Sequence, residues 1–497
     1  MKKSLLSLTV AALLVPSLSY AATGLSLTKE WTFSHSIASE ISSFDAATNS
    51  IWVAGVTGVD ILDLNTGSQT GFINVSPFGS INSIDIYNGI AAFAIENHVR
   101  SDNGFVQFYN TGSQDIVKQV TVGALPDMVK FTPNGSKLLV ANEGTPDVYG
   151  SAIGSSTPQV FGAAPNDPVG TVSIIDTSSS DFTNAHVIAT AGFDGVAQSG
   201  SHIRTNTGMD FEPEYIAVNE AGTKAFVTLQ EANAVGVLDI ESNSFEHVIG
   251  LGAKDFSAPG NEIDPSDKDG GINFGSHDVQ GLYMPDGIES FDANGQTYMI
   301  MANEGDFRED DGDRIRAKDL GSDEPLDRIR VSSTDSTADE LYAPGARSFS
   351  IRDIDGNIVF DSGDTLDKEA AKLGIYDDGR SDDKGVEPEG VTVIDLGEST
   401  YAFIGLERTT TSALAIYDIT DPANSLFLDM LVTEGDVSPE GIEAFYADGK
   451  AYLSISNEVS QTTSLYSISP VPEPSTYALL LSGLALVGFT ARRKKRA

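Results

Sequence analysis

Along residues 386–419, VEPEGVTVIDLGESTYAFIGLERTTTSALAIYDI, apolar and polar side chains alternate in three short runs separated by polar corners. Period-two alternation broken by Gly-bearing turns predicts consecutive antiparallel strands. Glu389 opens the first run and Glu407 closes the second, so a hairpin sets both carboxylates at one end. The unit recurs, which is the signature of a repeat architecture. Asp286 and Glu304 bracket GIESFDANGQTYMIMAN, and Glu440 and Glu458 bracket GIEAFYADGKAYLSISN; in all three units the acids are 18 residues apart. Glu214 and Glu231 flank YIAVNEAGTKAFVTLQ at a spacing of 17, and Asp127 and Glu143 flank MVKFTPNGSKLLVAN at 16. Two weaker copies, INSIDIYNGIAAFAIEN and IASEISSFDAATNSIWVAG, keep only Glu96 and Glu40, making seven copies.

Four strands per copy fit the spacing, the first of each falling at 37–42, 80–86, 127–132, 214–219, 286–291, 389–395 and 440–446. The seventh copy has three strands, while Leu25 to Phe33 forms a spare one at the start of the body. Pairing the two covers exposed sheet edges. The predicted fold is therefore all-β: a seven-bladed β-propeller closed by an N-terminal strand that completes the last blade. A pair of β-sandwiches is the competing arrangement. Asn88-Gly89, Asn134-Gly135, Asn294-Gly295 and Asp448-Gly449 suit tight hairpins between first and second strands. Long polar insertions at 142–169, 191–213, 252–285, 303–346 and 361–388 follow either a second or a fourth strand, loop types that emerge on one propeller face. Long loops on a rigid scaffold commonly carry function.

Both ends read as address labels. Lys2-Lys3, an apolar run and Ser19-Tyr20-Ala21 predict a signal peptide over 1–21. Val471-Pro472-Glu473-Pro474, an apolar run to Phe489 and Arg492 to Arg496 resemble a PEP-CTERM sorting signal over 471–497. That resemblance implies handling by an exosortase-type processing enzyme of Gram-negative bacteria. The body, 22–470, then works in the envelope, at the surface or in the extracellular matrix, touching membrane only through the C-terminal segment.

Composition narrows the chemistry. Zero cysteines exclude disulfides and thiolate sites, and six scattered histidines disfavour a zinc centre. With 71 acidic against 30 basic residues the net charge is −41, and seven of the bases lie in the end segments. Nucleic acid and anionic lipid are poor partners for such a body.

The repeat geometry aims five acid pairs at one mouth: Asp127 with Glu143, Glu214 with Glu231, Asp286 with Glu304, Glu389 with Glu407, and Glu440 with Glu458. Crowded like charges need protons, hydrogen bonds or cations. An oxygen-rich, extracytoplasmic site suits calcium, which takes 6–8 oxygens. The competing account has these acids accepting backbone N–H bonds at loop starts. Arg308, Arg347, Arg380, Lys384 and Arg408 lie among the acids and suit a phosphate or other anion, or else balance loop charge. Asp264 to Gly270 and Asp353 to Asn357 lack the closing Glu of an EF-hand, and no Gly-x-Ser-x-Gly elbow is present.

Six segments, LPDMVKFTPNGSKLLVANEG (125–144), FEPEYIAVNEAGTKAFVTLQEANAV (211–235), DKDGGIN (267–273), ANEGDFRE (302–309), GARSFSIRDIDGNIVFDSGD (345–364) and RSDDKGVEPEGV (380–391), resemble the choice-of-anchor I family. Similar domains occur in mesenchyme-specific cell-surface glycoproteins, and bacterial relatives carry alkaline-phosphatase-like or phytase-like labels. The resemblance implies a surface propeller with a link to calcium and supplies no catalytic residues. Two functions follow as expectations: a calcium-binding structural or binding module engaging an extracellular polysaccharide, or a calcium-dependent phosphoric ester hydrolase acting on a phosphate ester.

Overall fold

The computed structural model describes residues 24–146, 167–179, 181–205, 211–308 and 313–470, so the predicted signal peptide and sorting segment lie outside it. Residues Leu27–Ser469 form one compact unit. Among the described residues the chain is almost wholly β, with one α-helix, Thr365–Leu373.

Six sheets follow chain order, each entered by an inner strand: Ser42–Asp45, Ile81–Tyr87, Pro126–Phe131, Pro213–Val218, Ile288–Ala293 and Pro388–Leu396. In a seventh, Pro439–Ala447, Lys450–Asn457 and Thr462–Pro470 are joined by Leu25–Ser34 from the start of the body. The expected pairing of chain ends is thus present, backed by His35 N–H donating to the Gln461 carbonyl at 2.8 Å. His35 also reaches Asp60 at 2.6 Å and Thr463 at 2.8 Å, clasping the first sheet to the seventh.

Second strands such as Ile90–Ile95 (IAAFAI) and Ser50–Gly55 (SIWVAG) are buried at every position. Outer strands such as His186–Ala191 alternate between exposed and covered positions. The difference follows from layering, since a second strand packs against neighbouring sheets on both faces and an outer strand on one. Apolar clusters fill the seams, for example Trp52, Ile61 and Phe93 between the first two sheets, and Ile51, Leu62 and Leu465 between the first and seventh.

Each inner strand packs on the next, and Pro439–Ala447 packs on Ser42–Asp45. Two seams are joined through glycine. Gly287 N–H donates to the Glu389 carbonyl and Gly441 N–H to the Glu40 carbonyl, both at 3.1 Å. A Cβ at these positions would fall 2.4 and 2.3 Å from those oxygens, so only glycine permits the approach. Between the inner strands runs a cavity of about 190 Å³, lined by at least one residue from each, including Ser43, Asp85, Lys130, Tyr215, Glu289, Thr392 and Glu443.

Several local expectations need correction. The first inner strand starts at Ser42 rather than 37, because residues 35–39 are drawn to the seventh sheet, with Ser39 Oγ donating to the Thr462 carbonyl. Asn88-Gly89, Asn294-Gly295 and Asp448-Gly449 place both residues at positive φ, as a two-residue hairpin requires. In Asn134-Gly135 only the glycine does so, and the Asn134 side chain accepts from Ser136 N–H in a wider turn. The insertions also hold structure that the polar pattern concealed: a parallel strand, Ala197–Ser201, on the fourth sheet; a three-stranded sheet of Ala253–Asp255, Gln280–Leu282 and Tyr342–Pro344; and a ribbon of Arg314–Arg316 with Arg330–Ser332.

Candidate functional site

The acid pairs are positioned by a local motif built on proline. Leu125, Met284, Glu387 and Ser438 each precede the proline that precedes an acid, and all four have φ between 43° and 64°. A left-handed residue before proline is strained. Its carbonyl turns back across the hairpin to accept an N–H: Glu143 to Leu125 at 2.8 Å, Gly305 to Met284 at 3.0 Å, Glu407 to Glu387 at 2.9 Å, and Glu458 to Ser438 at 2.9 Å. The motif thereby fixes the acid opening one strand against the acid closing the next.

Neighbouring pairs are then drawn together by the inner seams, and the ten predicted acids gather at one end of the inner strands. Burial, followed by the charge of Glu143, pushes the Asp127 carboxyl up to about 8. Burial with Glu458 and Glu40 does the same for Glu440, and burial with Glu304 and Glu387 for Glu407, both to about 8. Glu231 also rises to about 8 through burial and Glu143. Glu214, Asp286 and Glu389 are driven well above the carboxylate range by burial and then by Glu231, Glu304 and Glu440 respectively. The Tyr215 hydroxyl is raised by burial and then by Asp286, Glu440, Glu389 and Asp127, acids from four different sheets. Glu40, retained in the weakest copy, joins the group at about 8, raised by burial and then by Glu458, Asp127 and Glu96.

Among the described residues no hydrogen bond reaches the side chains of Asp127, Glu214, Asp286, Glu389 or Glu440, and Oε2 of Glu214 and Glu389 is shielded from water without a partner. Backbone capping therefore does not explain the acids that open the strands.

Two triads have oxygens within 4.8 Å of one another: Asp286, Glu304 and Glu389, and Glu304, Glu387 and Glu407. They differ in their counter-charge. Lys384 Nζ lies 2.5 Å from Glu304 Oε1, 2.9 Å from Glu387 Oε2 and 3.5 Å from Asp306 Oδ2, so the second triad contains its own cation. Burial works to raise the Glu304 carboxyl, but the Lys384 ammonium, helped by Gln230, brings it below the ordinary range. In the first triad, among the described residues, only Glu304 has a basic partner. Asp286 and Glu389 face one another and Glu304 without one.

The predicted cations divide in the same way. Arg380 lies 2.5 Å from Glu387, and Arg408 is 2.7 Å from Glu407, both beside the acids. Arg308 and Arg347 are each 2% exposed and lie in the loop layer. Arg308 faces Glu212 at 3.4 Å and Asp167 at 3.9 Å. Arg347 donates to the carbonyls of Asp264, Ser381 and Asp383, which makes it a staple between insertions rather than an anion ligand. Arg204, with Asp313 at 2.5 Å and Asp335 at 2.9 Å, and Arg328, with Asp382 at 2.8 Å, act similarly. These pairs tie the five long insertions to one another. Asp264 spends its carboxylate on its own loop, accepting from Asn273 and Ser266 N–H, and on the 361–388 insertion, accepting from Ser381 Oγ.

Sequence reasoning missed Glu387, Asp306, Arg314 and Arg330. Glu387 sits two residues before Glu389, and its readable signal is the recurring residue-Pro-acid order; the two arginines lie within a polar insertion that carries no repeat register.

Together these features define an all-β protein of repeated sheets with an acid-lined end and a stapled loop layer. Hydrazine Synthase of Kuenenia stuttgartiensis superposes with a TM-score of 0.51 at 12% identity, covering 88% of this chain and 98% of that one. The beta-propeller domain of Cps50 (Swd1) from Myceliophteria thermophila gives 0.47 at 10% identity, covering 89% and 100%. Residues 40–422 match the Choice-of-anchor I domain, and the chain belongs to that family. Residues 470–495 match the PEP-CTERM protein-sorting motif, which marks an exported, envelope-associated bacterial protein processed by exosortase-type machinery. A Mesenchyme-specific cell surface glycoprotein of Strongylocentrotus purpuratus is 27% identical over 339 residues. The match covers 55% of this chain and 42% of that protein, so the chain spans less than half of this relative's length. Among the described residues no helix is long and apolar enough to cross a membrane.

Proposed function

We propose that the protein is a seven-bladed β-propeller, closed by Leu25–Ser34, that binds calcium at the surface or in the matrix of a Gram-negative bacterium. It acts there as a binding or structural module. The observation that carries this reading is the triad of Asp286, Glu304 and Glu389: three carboxylates within 4.8 Å, two of them without a basic partner among the described residues. Glu407, Glu440 and water can complete the oxygen shell that calcium needs. Calcium in this position would neutralise charges that burial otherwise forces to hold protons. The name of the sea-urchin relative, a cell surface glycoprotein, agrees with an extracellular role. The test is thermal unfolding of the mature chain with millimolar calcium and with chelator. Calcium raises Tm and chelator reverses it, because a ligand held only by the native state stabilises that state; equal Tm in both removes the reading.

One observation favours a second reading, a calcium-dependent phosphoesterase: Arg380, Lys384 and Arg408 adjoin the triads, where a metal and guanidinium groups together suit phosphoryl chemistry. Phosphate release from a phosphomonoester panel that includes inositol phosphates, dependent on calcium, is its signature.

A further inference from the structure

We propose that the loop layer holds a second site, opposite in charge to the first: a pocket for a tetrahedral oxyanion, the phosphate or sulfate group of a ligand, held by Arg314, Arg330, Arg380 and Arg408. The pocket encloses about 270 Å³, and Phe307 and Pro344 form part of its wall. It stands on its own cations and does not depend on calcium.

The charge count sets the pocket apart from the rest of the chain. In a protein with 71 acidic and 30 basic residues, five basic side chains line one pocket, the four arginines and Lys384, together with Asp306, Asp383 and Glu387, while Glu304 and Glu407 pair with Lys384 and Arg408. Such a concentration of basic side chains runs against the composition, and an anion can join the ones not fully committed to acids.

The cations approach from three separate elements, as a tetrahedral group requires. Arg314 and Arg330 come from opposite strands of the Arg314–Arg316 and Arg330–Ser332 ribbon. Arg380 and Lys384 come from the turn that begins at Asp378. Arg408 follows the strand Ser399–Leu406.

Their acids do not use all of the available donors. Arg330 Nε meets one oxygen of Asp383 at 2.9 Å, and Arg408 Nη2 meets one oxygen of Glu407 at 2.7 Å. Each guanidinium carries five N–H donors. Lys384, enclosed by Glu304 and Glu387, is occupied and serves the wall rather than the ligand. Arg314 is the distinctive member. Among the described residues it makes no ion pair, and its Nε is shielded from water with no hydrogen-bond partner. Arg314 lines the pocket with no described carboxylate at ion-pair distance, so its guanidinium charge is uncommitted there. Planar forks from several directions match the several oxygens of phosphate or sulfate better than the two oxygens of a carboxylate.

The experiment is calorimetric titration of the full mature chain with inorganic phosphate and, separately, inorganic sulfate. Both are run in chelator, so failure of the calcium site leaves them unaffected. The expected result is saturable binding of one or both oxyanions, with the better-bound one identifying a phosphate or a sulfate ester as the natural source. Arg314→Gln combined with Arg330→Gln weakens binding by at least about tenfold, the loss expected from charge-assisted hydrogen bonds. Arg314→Lys, which keeps the charge and loses the fork, also weakens it. Ligand-free Tm and circular dichroism confirm that each variant is folded; if the double variant is not, Arg314→Lys decides the point. No binding of either oxyanion at millimolar concentration, or equal binding in the folded arginine variants, overturns the proposal.

Discussion

Replacing Glu389 by Gln separates a metal-binding acid from a structural one, because the two roles predict opposite signs. Its carboxylate lies within 4.8 Å of those of Asp286 and Glu304. Two unit charges at that distance repel by about 3.5 kcal/mol at an effective dielectric constant of roughly 20. Water access and partial protonation lower the realised figure to roughly 1–3 kcal/mol. Gln has nearly the same shape and removes the charge, and no hydrogen bond of Glu389 is lost among the described residues. The metal-free variant is therefore more stable than the parent where Glu389 is ionised. At roughly 2 cal/mol/K of unfolding entropy per residue, a unit of this size gains about 1 °C in Tm per kcal/mol. The expected rise is a few degrees at alkaline pH, and it vanishes in mild acid, where the parent carboxyl already holds a proton. Calcium reverses the order: it raises the parent's Tm and leaves Glu389→Gln nearly unmoved. Differential scanning calorimetry at two pH values, with calcium or chelator, reads all four cases. A metal-free variant that melts lower than the parent at alkaline pH and keeps its full calcium response would refute the reasoning.

Three other outcomes follow from the same groups. Glu40, Asp127, Glu231, Glu407 and Glu440 have folded pKa values near 8, above their unfolded values, so the native state binds more protons in between. Metal-free stability therefore falls as pH rises from about 5 to about 8, while calcium binding, which displaces those protons, tightens over the same range; melting curves and calcium titrations across that window check both. Lys384→Gln leaves buried acids without their ammonium and costs about 3–5 kcal/mol, and it frees the Glu304, Glu387 and Glu407 triad, so calcium restores Tm and equilibrium dialysis counts one more bound ion. Gly441→Ala sets a Cβ 2.3 Å from the Glu40 carbonyl oxygen and breaks the bond joining the seventh and first inner strands; it lowers Tm by about 1–3 °C, following the usual cost of overpacking, and speeds proteolysis near Leu25–Ser34.

How much of this could be read from the chain depended on whether a feature was periodic. Second strands were legible because burial on both faces makes them unbroken apolar runs, as in IAAFAI and STYAFIGL. The acid pairs were legible because a fixed hairpin length returns each to the same end. Ser42 was misplaced because the pull on the preceding residues comes from Thr462 and Thr463, more than 400 positions away. Ala197–Ser201 was invisible: all five residues are exposed, so no alternation marks them as a strand. The helix Thr365–Leu373 had readable signals, Asp364 before it and Gly374 after it, but one apolar stripe of Leu366 and Ala370 is faint within a polar insertion. The fate of each arginine was least legible. Arg347 and Arg314 are equally basic in sequence, and only the packing of one insertion on another makes the first a staple and the second a lining residue of a pocket.

An acid pair repeated in five copies is harmless in each copy and costly in the assembly. Each of five sheets brings two carboxylates to the same end, and the seams at Gly287 and Gly441 press their backbones to 3.1 Å. The strained residues before proline hold the pairs there rather than letting them turn outward to water. Such a cost persists where the surrounding structure enforces it and a positive charge offsets it. One triad meets that condition internally through Lys384: burial works against its charge, but Glu304, Glu387 and Asp306 outweigh that and hold its proton firmly. The adjoining triad shares Glu304, but among the described residues Asp286 and Glu389 have no side chain to play the same part. The filled triad supports the proposal of an exchangeable cation at Asp286, Glu304 and Glu389, the simplest completion of the pattern.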